Sequence, residues 1–123
     1  MDSISAAFIA VLNAADIDEP IKDTYNVLKG ALYRKYDRYS YIAGAVKLLE
    51  SKPDFISRQV MLKEAVRITK AQKDPQLNLL AEALLKKLQT TLKGQAALKK
   101  YHLTPEKFDG VEDHTYTFGE PYF

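Results

Sequence analysis

His102 and His114 are the only imidazoles in this 123-residue chain, and Asp109, Glu112 and Asp113 lie between them. These side chains can ligate a metal, but the two histidines stand twelve positions apart, which fits no zinc-ligand spacing. Cysteine is absent, which removes disulfides, thiolate ligands and a thiol nucleophile. The sequence contains no Gly-rich phosphate loop and no G-x-S-x-G elbow. Asp16, Asp18 and Glu19 cluster where a helix should start, which reads as capping and not as acid–base chemistry. The expectation is a protein with no metal, no cofactor and no catalytic residues, hence not an enzyme.

The densest cluster of polar chemistry is at residues 33–41, where Tyr33, Tyr36, Tyr39 and Tyr41 interleave with Arg34, Lys35 and Arg38. Rings alternating with cations can stack bases and hold phosphates. They can equally cover the core edge at a helix–helix junction while their hydroxyls stay wet. A sequence pI of about 8.7 is modest for a nucleic-acid module, so the second reading is preferred.

The net charge of +2 conceals a division. Residues 1–107 carry all 18 Lys and Arg against 12 acids. Residues 108–123 carry Asp109, Glu112, Asp113 and Glu120 with no Lys or Arg. Segment 58–100 is the most basic, with ten Lys and Arg against Glu64, Asp74 and Glu82. Within it Lys63, Arg67 and Lys70 stand at i, i+4 and i+7, on one helical face. That face reads as solvated surface, or as an attractor for anionic lipid, nucleic acid or the protein's own tail.

These residues ride on a pattern that is helical almost throughout. The first helix is expected over Ser3 to Asn13. The second starts at Asp18-Glu19-Pro20 and lasts to about Tyr36. The third follows Ser40 as N-cap and closes before Pro53. The fourth runs from about Ser57 to Gln72, with Val60, Met61, Leu62, Ala65, Val66, Ile68 and Thr69 read as one wide inward stripe. The fifth opens at Asp74-Pro75 and carries Leu77, Leu80, Ala81, Leu84 and Leu88, with Gly94 as its C-cap. Gln95 to Leu103 can add a short helix, and Thr104-Pro105 reads as another start. The fold class is therefore all-α, a compact bundle of about five helices over residues 1–110. Residues 111–123 read as an extended tail packed on it through Tyr116, Phe118, Tyr122 and Phe123.

The first helix is unusual because Ile4, Ala6, Ala7, Phe8, Ile9, Ala10 and Val11 leave it apolar all round. Such a helix is buried or has a second apolar partner. Ile4, Phe8, Ile9 and Val11 are the candidates for contact with a partner or a membrane. At ~1.5 Å per residue it is too short to cross ~30 Å of bilayer, so it would lie in the interface. The acidic start Met1-Asp2-Ser3 does not suit a secretory signal, and the expected location is cytoplasmic, extending to the inner membrane surface.

Several stretches between Ile21 and Leu88 carry a resemblance: I-K-D-T-Y-N-V-L-K, L-L-E-S-K-P-D, R-Q-V-M-L-K-E-A and K-D-P-Q-L-N-L-L-A-E-A-L-L. Over about the first 90 residues the chain resembles small helical domains of bacterial, notably cyanobacterial, conflict and regulated-cell-death proteins. These include the Bell-type domains, comparable in role to fungal HeLo domains. The resemblance implies a helical bundle that oligomerises and engages membrane through an apolar N-terminal helix. It supplies no catalytic residues, and the tail matches no amyloid signalling motif.

The expected function is that of a non-enzymatic signalling or effector domain acting by protein–protein contact, homo-oligomers included, with engagement of an anionic membrane surface as a further step. A plain adaptor without a membrane role is the alternative. A weak nucleic-acid module is a third reading, although neither nucleic acid nor a small molecule is the expected partner.

Overall fold

The computed structural model describes residues 1–101, which form six α-helices and one 3-10 turn. Most helix starts have a visible local cause, a side-chain oxygen that satisfies an orphan amide. Asp2 caps α1 (Ser3–Asn13) by accepting from Ser5 N at 2.7 Å. Asp18 caps α2 (Glu19–Tyr36) through Ile21 N at 3.1 Å, with Pro20 in the first turn. Ser40 caps α3 (Tyr41–Ser51), Asp74 caps α5 (Pro75–Leu88) and Thr91 caps α6 (Leu92–Lys100). At α4 (Ile56–Thr69) the N-cap position holds Phe55, which makes no side-chain bond. Lys70 ends α4 with a left-handed φ of 62°, and the 3-10 turn Ala71–Lys73 follows.

α1 is the axis of the fold. Ile4, Ala6, Ala7, Phe8, Ile9 and Ala10 have no exposed surface, and Val11 has almost none. The partners that such a helix needs are the chain's own: α5 above all, then α4, α6 and α3. The second apolar surface expected for Ala6, Ile9 and Ala10 is thus supplied within the domain. Phe8 meets the edge of Tyr25 with ring centroids 5.5 Å apart. Around this axis α2 lies against α5, and α3 lies against α4. Leu28, Leu32, Val46, Leu49, Leu62, Val66, Leu84 and Leu88 join one core, with Leu80 half-buried at its margin.

Four expectations change, the first being that α4 ends at Thr69 and not near Gln72, because Lys70 turns left-handed. Gly94 is not the cap of α5, which ends at Leu88, and it lies inside the first turn of α6. A Cβ there would stand 2.0 Å from the Leu88 carbonyl oxygen, so a close crossing of the two helices requires glycine. The last helix begins at Leu92, not Gln95, because Thr91 accepts from Gly94 N at 2.9 Å and fixes the start earlier. Val60 and Ile68 point outward, since one helix cannot bury both of its apolar stripes against a single neighbouring layer. The helix read at Thr104 and the tail 111–123 lie outside the described residues. Among the described residues there is no strand, and no helix is long and apolar enough to cross a membrane.

Candidate interaction surface

The tyrosine cluster is assembled at the junction of α2 and α3. Asp37, at φ 77°, ends α2 and turns the chain toward α3. Tyr33 and Tyr36 are half-buried against the core edge, while Tyr39, Tyr41, Arg34 and Arg38 are exposed. The cations that face the rings are lysines from outside the run. Lys29 Nζ and Lys47 Nζ stand 5.7 and 5.8 Å from the Tyr33 ring centre, and Lys47 is also 5.8 Å from that of Tyr39. Lys29 lies one helical turn before Tyr33 and could have been found by spacing. Lys47 comes from α3, and no local pattern announces it.

The same junction spends its charges on structure. Glu50 takes a hydrogen bond from the Tyr25 hydroxyl and from Lys29 Nζ, the latter at 2.7 Å. Burial first, and Glu50 second, push the Tyr25 hydroxyl above its ordinary range. Burial also raises Tyr33, and Lys29 is the strongest influence pulling it back. Lys35 reaches across to Asp74 at the start of α5. These contacts tie α2 to α3 and α5.

The proposed basic face is only partly a face. Lys63 is half-buried and within electrostatic reach of Asp2; burial lowers its pKa while Asp2 raises it. Arg67 is exposed and paired with Glu64 through two nitrogens. Lys70 is exposed beyond the end of α4. Ile4, Phe8, Ile9 and Val11 are all buried, so in the folded domain none offers a surface to a partner or to lipid. His102, His114, Tyr116, Phe118, Tyr122 and Phe123 lie outside the described residues. Among the described residues, no group of three or more metal-ligating side chains comes together.

A different surface emerges on the α3–α4 hairpin. Leu48, Phe55, Val60, Ile68 and Ile56 are 41, 45, 51, 56 and 73% exposed. Ile56, Val60 and Ile68 share the outward face of α4, with the Glu64–Arg67 pair between them. Phe55 extends this face at the hairpin corner, where Lys52 Nζ and the Arg58 guanidinium stand 5.3 and 5.4 Å from its ring centre. Arg58 Nη1 donates to the Leu48 carbonyl at 2.8 Å, which joins α3 to the corner. Single exposed apolar residues are ordinary, but five gathered on one hairpin make it the candidate interaction surface. The sequence held the signal in the i, i+4, i+12 spacing of Ile56, Val60 and Ile68. It was obscured because Leu62, Ala65 and Val66 form a second stripe on the opposite face.

A family model described as the Het-E N-terminal domain matches residues 1–116. The chain belongs to this family. The match agrees with the resemblance to cell-death and conflict domains, and it extends past the 90 residues that carry that resemblance and past residue 110. A Het-E N-terminal domain is of the heterokaryon-incompatibility type, compatible with a signalling or cell-death effector role. No curated protein and no solved structure matches the chain.

Proposed function

We propose that this Het-E N-terminal domain is a non-enzymatic signalling or effector module that works by protein–protein contact through the outward face of the α3–α4 hairpin. The observation that carries the reading is that Leu48, Phe55, Ile56 and Val60 are all exposed on one helical hairpin, with Lys52 and Arg58 at the Phe55 ring. Interfaces use such a pattern, an apolar centre inside a charged rim. The test is the double variant Ile56→Asp, Val60→Asp. Both side chains are exposed, so thermal stability should stay within about 0.5 kcal/mol of the parent. Expressed to the same level in the host, the parent chain should change host viability and the double variant should not. An equal effect from both removes this face from the function.

We place membrane engagement, the further step of this reading, on the α4 face of the folded domain. Its apolar contact cannot be α1 in the folded state, because Ile4, Phe8, Ile9 and Val11 are buried. The α4 face, with Lys63, Arg67 and Lys70 beside it, has the mixed character that suits an anionic interface. Flotation with phosphatidylserine vesicles at low salt decides the point. Binding that the double variant abolishes supports the membrane-active effector, and no binding by a chain whose α4 face is accessible leaves the plain adaptor.

A further inference from the structure

The outward face of α4 and the composition of the chain's end are complementary. We infer that residues 111–123 dock on the α3–α4 face and cover it, so that a partner must displace them. The inference rests on the reading of this face as the contact surface and adds what occupies it at rest.

Charge selects the occupant. The hairpin and the residue that ends it carry Lys47, Lys52, Arg58, Lys63, Arg67 and Lys70 against Glu50, Asp54 and Glu64. A second copy would bring these cations toward one another, and like charges across an interface oppose association. Residues 108–123 hold Asp109, Glu112, Asp113 and Glu120 with no Lys or Arg, and four rings at Tyr116, Phe118, Tyr122 and Phe123. They are the acidic and aromatic stretch of an otherwise basic chain. Exposed ion pairs contribute little, so the rings supply most of the attachment and the charges choose the face. Covalent linkage sets an effective concentration in the millimolar range, so a weak contact suffices.

Geometry permits the reach. Asn13 Nδ2, at the end of α1, donates to the Pro53 carbonyl in the α3–α4 loop at 2.9 Å. Asp16, just beyond α1, pairs with Lys93 in the first turn of α6. The start of α6 and the hairpin corner therefore lie toward the same end of the molecule. α6 spans nine residues, about 13 Å. The nine positions 102–110 have a contour limit of about 30 Å at ~3.3 Å per residue, comparable with the width of a domain whose radius of gyration is ~13 Å.

The test exploits the absence of cysteine. Thr117→Cys in the full chain gives one attachment point for a nitroxide label, and paramagnetic broadening of backbone amides maps its neighbours. Broadening concentrated on Leu48 and on residues 55–68, and lost when Ile56→Asp and Val60→Asp are added, supports docking. Uniform broadening, or broadening centred on another face, overturns it. Broadening seen only when labelled chains are mixed with isotope-labelled, nitroxide-free chains identifies a second copy and also overturns it. Vesicle binding that is present in the parent and no stronger in a Phe118→Ser, Tyr122→Ser chain shows the face already open, with the same consequence. The two readings fail separately. If the label finds no preferred face while Ile56→Asp, Val60→Asp still abolishes the effect on viability, docking is wrong and the contact surface stands. If docking maps to the face but the Phe118→Ser, Tyr122→Ser chain leaves viability unaffected, the contact reading is the one lost.

Discussion

At the start of α5 the Asp74 carboxylate accepts from Gln76 N at 2.9 Å and Leu77 N at 3.1 Å, and it pairs with Lys35 from α2. Lys35 first, with the Leu77 amide next, holds its pKa below the ordinary 3.8. A carboxyl lowered on folding stabilises the fold above its unfolded pKa, and that stabilisation is lost as pH falls through the folded value. Asp74→Ala should therefore cost about 1 kcal/mol at pH 7, the usual loss for a helix cap. The difference between parent and variant should shrink as the pH drops below about 4. Urea melts at pH 7 and pH 3 check both statements, and a constant difference would show that the charge is irrelevant. Asp18, Ser40 and Asp74 were legible as caps because capping is a matter of two or three adjacent residues. The lysines over Tyr33 were only half legible, since Lys29 is a helical neighbour whereas Lys47 arrives through the packing of α3.

Elements end for reasons that are harder to see in sequence than their beginnings. Glycine after a leucine-rich helix suggests a C-cap, and Gly94 has that setting, yet its role is to let α6 pass the Leu88 carbonyl. Gly94→Ala would raise helix propensity, and a local reading predicts a more stable protein. The contact at 2.0 Å to Leu88 O and 2.7 Å to Leu88 C involves backbone that cannot turn aside. Overpacking of this kind costs about 1–3 kcal/mol, so the variant should unfold at lower urea than the parent. Lys70 predicts the opposite sign. It holds a left-handed conformation at the end of α4, where glycine carries no Cβ penalty. Lys70→Gly should add about 1 kcal/mol in the same assay, and no gain would mean that the side chain of Lys70 contributes to the fold. α4 also shows why its outward face escaped notice. Two apolar stripes on one helix look like one broad stripe until a neighbour covers one of them.

The whole molecule is organised around a helix that the sequence marked as apolar on every side but could not place. Burial by neighbouring helices, by a second subunit or by lipid all satisfy that pattern. The packing of α5, α4, α6 and α3 around α1 chooses the first, and the choice changes what mutations at α1 report. Truncating a buried phenylalanine costs about 3–5 kcal/mol, a large part of a total stability of about 5–15 kcal/mol. An aspartate at the same point adds an unpaired charge in a dry core. Phe8→Asp should therefore abolish cooperative unfolding and disperse no native amide spectrum, with or without vesicles. Ile56→Asp, on the exposed side of α4, should retain both. The pair distinguishes loss of fold from loss of contact, which a defect in lipid binding alone cannot do. It also constrains any mechanism in which α1 is released to a membrane. Leu84 and Leu85 of α5 are buried in the same core, so release of α1 opens α5 to water. Hydrogen exchange at the Leu84 and Leu85 amides should accelerate together with α1 when vesicles are added, if release occurs. If those amides stay protected while the protein is bound to vesicles, α1 remains at the centre and binding proceeds through the surface.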